Sequence, residues 1–181
     1  MNKIAVFLDR DGIVNERIID DYVKTIDDFV FIEDFFETFR IIHDFGALTF
    51  LVTNQQGVGK KLMTVKDLSI IHNQMNLILK KKCGANFTEI FFCPSLDEDN
   101  DFRRKPNPGM ILEAIEKYKL IPEKCIIIGD SKSDILSGKS AKIKTIYIGE
   151  VNSEVSSSDY KFKNHKELNS NLEVILSELL L

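Results

Sequence analysis

Five short apolar stretches, Ile4 to Leu8, Ala47 to Val52, Glu89 to Cys93, Cys125 to Ile128 and Lys144 to Ile148, constrain this chain more than any other feature. Each has strand length, is rich in β-branched or aromatic residues, and is bounded by polar turns. Segments with helical spacing lie between them: Glu33 to Phe45, Thr64 to Lys82, Pro108 to Tyr118 and Asp134 to Lys139. In the second of these, Leu68, Ile71, Met75, Ile78 and Leu79 share one face. Near-continuous apolar strands alternating with amphipathic helices predict an α/β fold, a three-layer Rossmann-like core whose central parallel sheet is covered on both faces. Helix punctuation agrees: Thr64 with Asp67 resembles a capping box, Pro108 suits a first turn, and Gly46 and Gly84 follow helices. The Ser-rich stretch Glu150 to Asp159 reads as a surface loop before a last helix near Ser170 to Leu180. With no repeat and no second periodic block, residues 1–181 are expected to form one domain.

Composition narrows the class. At 181 residues, 44% of them hydrophobic, the chain can remove roughly 70% of its unfolded surface from water and needs no disulfide or structural metal merely to fold. Apolar runs fall well short of the ~20 residues of a membrane span, and Met1 to Leu8 is too short for a signal peptide. Cys83, Cys93 and Cys125 are an odd number without paired spacing. A cytoplasmic protein, monomeric and without a membrane partner, is therefore expected. A net charge of −4 argues against a nucleic-acid footprint. The local cluster Arg103, Arg104 and Lys105 suits a small phosphate ester better than a duplex.

In open parallel sheets ligands bind beyond the carboxyl ends of the strands, near the point where strand order reverses. The polar clusters of this chain stand at those ends. Asp9-Arg10-Asp11-Gly12 through Asn15 follows the first strand, Thr53-Asn54-Gln55 the second, and Gly129-Asp130-Ser131 through Asp134 the fourth, while Arg104-Lys105-Pro106 precedes a helix. If the first strand continues, Asp9 and Asp11 point to one side, and Gly12 lets the chain turn away. Two carboxylates so close call for a cation, and Asp130 could complete an all-oxygen set suited to Mg²⁺. Thr53 and Lys105 would then donate to a phosphate held there. Asp134 on its own reads as a helix cap or loop carboxylate. His43 and His72 read as surface or packing residues, and His165 lies near the tail. Gln55 to Lys60 lacks the spacing of a nucleotide phosphate loop.

This constellation resembles the haloacid dehalogenase superfamily of phosphotransferases, whose four motifs are Asp-x-Asp-Gly, a strand-end Thr or Ser, a Lys, and Gly-Asp-x-x-x-Asp. Within it, Asp9 to Asn15, Thr53-Asn54-Gln55 and Arg104-Lys105-Pro106 look like the subfamily of histidinol-phosphate and D,D-heptose 1,7-bisphosphate phosphatases, and Tyr22-Val23, Ile26 to Phe29 and Phe31-Ile32 look closer to the heptose enzymes. The resemblance implies that Asp9 attacks phosphorus, that Asp11 serves as acid and then base, and that Thr53 and Lys105 neutralise the phosphoryl oxygens. It implies Mg²⁺ held by Asp9, the Asp11 main-chain carbonyl and Asp130. Asn15, Tyr22, Asn54, Gln55, Arg104 and Ser131 would contact a small phosphorylated sugar. Heptose 1,7-bisphosphate, cleaved at the 7-phosphate, is the expected substrate, as in the synthesis of nucleotide-activated heptose for surface polysaccharide. Alternatives are histidinol phosphate, a nucleic-acid 3′-phosphate, or a non-catalytic phosphate-binding module.

Three departures qualify the resemblance. Relatives often carry zinc on a Cys-x-His and Cys-x-Cys loop, but here Cys93 is followed by Ser95, Asp101 and Arg103 at the other three positions. No zinc is expected, since one ligand of four cannot hold it. The segment from Asn15 to Tyr22 is two residues longer than usual, and Ser131 stands where heptose enzymes often have Lys. With no inserted stretch long enough for a separate lid, the core is expected to be capless.

Overall fold

The architecture follows from strands that are apolar on both sides. In the computed structural model, which describes residues 3–150 and 155–181, β1 (Ala5–Leu8) is fully buried and lies at the centre of a parallel sheet. Around it stand β2 (Leu48–Asn54), β3 (Glu89–Cys93), β4 (Cys125–Gly129), β5 (Lys144–Ile148) and β6 (Tyr160–Phe162), in the order β3-β2-β1-β4-β5-β6. Side chains alternate across the sheet. Val6, Leu8, Leu51, Ile126, Ile128 and Ile146 belong to one core, and Ala5, Phe7, Phe50, Val52 and Ile127 to the other. Helices α1 (Phe35–Asp44), α3 (Val65–Cys83), α6 (His165–Asn169) and α7 (Leu172–Glu178) fill the first core through Phe39, Met75, Leu168 and Leu176 among others. Helix α4 (Gly109–Tyr118) closes the second through Met110, Ile111 and Ala114. Each fully buried side chain of this size contributes about 1.5–3 kcal/mol.

The expected punctuation is present. Thr64 and Asp67 form a reciprocal capping box at the start of α3, and Gly84 ends that helix in the left-handed conformation. Pro108 stands one residue earlier than expected, as the N-cap of α4. Short α2 (Gln56–Gly59) follows β2 directly, and α5 (Lys132–Ser140) packs against β4 and β5. Two expectations need correction. A sixth strand exists beyond the expected five: Tyr160 and Phe162 turn toward the core while Lys161 faces out, and three residues are too few to make a sequence pattern. The expected last helix is present as α7, but a second short helix, α6, precedes it where no helix was expected, the two separated by Ser170 and Asn171. Of the Ser-rich loop, residues 151–154 lie outside the described residues. No helix among the described residues is long and apolar enough to cross a membrane.

His165 is a buried tie rather than a tail residue. Its Nε2 lies 2.8 Å from the Ile13 carbonyl and its Nδ1 2.8 Å from Thr38 Oγ1, joining α6 to α1 and to the loop after β1. A carbonyl only accepts, so Nε2 carries a hydrogen, while the Thr38 hydroxyl stands between Nδ1 and Asn169 Oδ1, which lies 2.6 Å from it. The neutral ring suits this pocket. Burial pushes its pKa down to about 4, against the opposing pull of the Ile13 carbonyl and Asp34. A histidine with a depressed folded-state value contributes stability above its unfolded value near 6.5, and that contribution is lost as pH falls toward about 4. The melting temperature of a His165→Gln variant is therefore expected to fall less steeply than that of the parent between pH 6.5 and 4.5. Parallel pH profiles from thermal melts check this, and identical slopes would refute the assignment.

Candidate active site

The order in which strands are added reverses between β1 and β4, and the acidic residues gather at that switch point. Leu8 pairs with Ile128, and the Asp9 amide extends the ladder by donating to the Ile128 carbonyl at 3.1 Å. Asp9 and Asp11 do share one cavity, of about 680 Å³, but strand alternation is not the reason. Strand β1 stops at Leu8, and the chain coils around the Arg10 carbonyl, which accepts from the amides of Ile13, Val14 and Asn15. Gly12 makes the turn at φ +96°, and a Cβ there would lie 1.9 Å from Asp130 Oδ2. Only glycine lets Asp130, from the end of β4, come so near.

A single ammonium organises the floor of the cavity. Lys105 is buried, and its Nζ donates to Asp9 Oδ1 at 2.8 Å, Asp134 Oδ1 at 2.5 Å and the Val52 carbonyl at 2.9 Å, so all three hydrogens are used. Burial works against this charge, yet Asp134 and Asp9 hold it well above the ordinary lysine value. Asp134 is thus more than the cap or loop carboxylate the sequence implied. Its other oxygen closes a capping box with Ser131 at the start of α5. A Cβ on Gly129 would fall 2.2 Å from Asp134 Cβ, which explains glycine at the end of β4.

The two motif acids sit in opposite electrostatic environments. Burial, followed by the nearby Asp134, lifts Asp9 to about 7; Lys105 opposes this and Asp130 adds to it. Burial also works to raise Asp11, but the Arg10 guanidinium together with Asn15 and Gln55 outweighs it and holds Asp11 below its ordinary value. Arg10 Nη2 lies 3.0 Å from both Asp11 oxygens, Asn15 Nδ2 2.9 Å from Oδ1, and Gln55 Nε2 2.9 Å from Oδ2. Arg10 went unnoticed in the sequence, although it is one of the largest fully buried side chains. It also approaches His72 Nε2 at 3.4 Å. His72 is buried, and burial and Arg10 together depress it to about 3.

Not every expected substrate contact faces the cavity. Thr53, Asn54, Tyr22, Arg104 and Ser131 line it, as do Asp9, Asp11 and Lys105. Asn15 and Gln55 are instead buried behind Asp11: their short amide side chains are spent on its carboxylate, and Gln55 also donates to Thr53 Oγ1 at 2.9 Å. That bond takes a lone pair of Thr53 and leaves its hydroxyl hydrogen to donate. Asn54 lines the cavity but is tied to the Lys105 backbone, accepting from its amide at 3.0 Å and donating to its carbonyl at 2.9 Å. Ser131 shares its hydroxyl with Asp134. Lys60 and Gln56, which sequence reasoning passed over, also line the cavity; Lys60 Nζ lies 2.8 Å from the Tyr22 hydroxyl.

Asp130 lines a neighbouring cavity of about 430 Å³. Oxygens of Asp9, Asp130 and Asp134 lie within 4.8 Å of one another, so the acidic cluster can hold a metal ion. Both oxygens of Asp134 are engaged, by Lys105 and Ser131, whereas Asp9 and Asp130 are two of the ligands that the resemblance implies. In the loop before Lys105, Asp101 occupies one of the altered zinc positions. Its Oδ2 receives the Ser95 hydroxyl at 2.5 Å and lies 3.5 Å from Cys93 Sγ, and its Oδ1 receives the Arg103 amide at 2.8 Å. These bonds join the residues at all four positions.

Comparison with known proteins accords with this geometry. The chain is 38% identical over 140 residues to D-glycero-beta-D-manno-heptose-1,7-bisphosphate 7-phosphatase of Helicobacter pylori (strain ATCC 700392 / 26695), spanning 77% of this chain and 80% of that protein. It is 34% identical over 170 residues to the protein of the same name from Pasteurella multocida (strain Pm70), spanning 90% of each. Among solved structures, D,D-heptose 1.7-bisphosphate phosphatase from B. bronchiseptica, complexed with magnesium and phosphate, shares the fold with a TM-score of 0.83 at 23% identity, over 93% of this chain and 97% of that one. The family described as haloacid dehalogenase-like hydrolase matches residues 12–148, and with that match and those relatives the chain belongs to the haloacid dehalogenase-like hydrolases.

Proposed function

We propose that this chain removes the 7-phosphate of D-glycero-D-manno-heptose 1,7-bisphosphate through a phosphoryl group carried on Asp9. The observation that carries this reading is the convergence of Asp9, Asp11, Thr53 and Lys105 on one cavity in a chain with a 38% identical relative named for that reaction. The Arg10 amide and Lys105 both donate to Oδ1 of the Asp9 carboxylate. Oδ2 is then the oxygen that attacks phosphorus, while Lys105 and the Thr53 hydroxyl neutralise charge growing on the phosphoryl oxygens. Asp11 passes a proton to the departing sugar oxygen and later takes one from the water that hydrolyses the aspartyl phosphate. The donors around Asp11 favour its ionised form, which suits the second half of the reaction.

The donor set fits a divalent ion. Asp9, Asp130 and the Asp11 carbonyl are hard oxygens, and Arg17 already sets a positive charge against two of them. Mg²⁺ held there would withdraw charge from the phosphoryl group and align it with the nucleophile. Farther out, Lys60 and Arg104 line the same cavity, and their charges suit a substrate with a second anionic group. The cysteines are unpaired and buried, which supports a reducing, cytoplasmic setting.

Phosphate release from heptose 1,7-bisphosphate, either anomer, compared with release from histidinol phosphate tests the substrate; turnover of histidinol phosphate alone would overturn it. Asp9→Asn is expected to lower turnover by more than about a thousandfold with little change in melting temperature. Retained turnover would refute the nucleophile. Gln55 touches Asp11 and Thr53 but not the cavity, so Gln55→Leu is expected to lower kcat about ten- to a hundredfold while KM moves less than about threefold. A change confined to KM would mark Gln55 as a substrate contact instead.

A further inference from the structure

The proposed reaction leaves Arg17 without a task, although it is hydrogen-bonded to Asp11 and Asp130 in the site. It stands on the loop after β1 with its side chain 51% exposed. Its Nη2 donates to the Asp11 main-chain carbonyl at 3.0 Å and to Asp130 Oδ1 and Oδ2 at 2.7 and 3.0 Å. One guanidinium nitrogen therefore uses the same carbonyl and carboxylate that a divalent ion would take from this edge. A metal ion taking those oxygens would stand at hydrogen-bond range of the guanidinium, where the two cations repel each other and so compete for the site. The placement of the cavities agrees. Arg17 lines the large cavity with Asp9 and Lys105, whereas Asp130, which it holds, lines the neighbouring one.

We propose that Arg17 is a tethered stand-in for the metal: it holds Asp130 and the Asp11 carbonyl in the metal-free protein, competes with the ion for them, and is released into the substrate cavity when the ion binds. This rests on the reading that Mg²⁺ occupies this site. The need for a stand-in follows from charge. Asp9, Asp130 and Asp134 place oxygens within 4.8 Å of one another, and the buried Lys105 reaches only Asp9 and Asp134 of the three. Asp130 would otherwise face like charges uncompensated. The exchange is easy because the arginine is half exposed: partly exposed ion pairs are weak, and the freed guanidinium regains water. A partly buried Asp130 left unpaired beside other carboxylates would be costly, so the loop keeps the acidic seat assembled until the ion arrives.

The test is titration of MgCl₂ alone into the metal-free full-length chain at low ionic strength, by calorimetry and by thermal melts, for the parent, Arg17→Ala, Arg17→Gln and Arg17→Lys. The Ala and Gln variants are expected to bind Mg²⁺ roughly two- to tenfold more tightly than the parent, with the Lys variant between. They are also expected to melt below the parent without metal and to recover that deficit at saturating Mg²⁺. Unchanged or weaker Mg²⁺ affinity in both neutral variants would overturn the role of Arg17 while leaving the metal site intact. A melting deficit that persists undiminished in saturating Mg²⁺ would also overturn it, since it would mark a purely structural contact. Failure of every form, the parent included, to bind Mg²⁺ would overturn the metal reading and this inference together.

Discussion

The site depends on one buried ammonium. Lys105 sits between Asp9 and Asp134, and without it two carboxylates would lie uncompensated in a protein interior, where an unpaired charge costs far more than any single contact returns. The same ion pair links three parts of the chain. Asp9 closes the central strand, Asp134 caps α5, and Lys105 is carried on a loop that Asn54, at the end of β2, fixes by two backbone bonds. Local structure and catalytic geometry are therefore the same set of bonds.

Around that pair the acids are sorted by surroundings rather than by type. Asp9 is lifted to about 7 by burial and then by the carboxylates beside it, whereas Asp11, two residues away, is wrapped by Arg10, Asn15 and Gln55 and held low against the effect of burial. Opposite environments for neighbouring carboxyls are how a fold assigns different roles to the same functional group. Arg10 makes the division possible. Its carbonyl coils the loop that turns Asp11 toward the cavity, and its guanidinium supplies the charge that keeps Asp11 ionised.

The loop from Ser95 to Arg103 shows how a surface segment is kept in place by ordinary hydrogen bonds. Asp101 collects the Ser95 hydroxyl and the Arg103 amide, and Arg104, just beyond, reaches back to the Ser95 carbonyl at 3.0 Å. Arg104 is thereby presented to the cavity from a loop whose own regular structure is one short 3-10 turn, Asp97–Asp99, and which lies against α2 at Gly59.

By itself the sequence determined the parallel sheet, the helices that cover it, and the motif residues at the strand ends, because strand and helix periodicity and strand-end placement are local properties that backbone geometry enforces. It missed β6, a strand of three residues too short to carry a period, and it set Asn15 and Gln55 among substrate contacts where the fold turns them to Asp11. The partnership of Lys105 with Asp134, the burial of Arg10 and the hold of Arg17 on Asp130 were decided only by tertiary structure. These are contacts between residues far apart in sequence or, for Arg10, a matter of which side of a loop faces inward. Charge pairing in a protein interior is set by which groups share a low-dielectric space, and that space exists only once the strands are side by side.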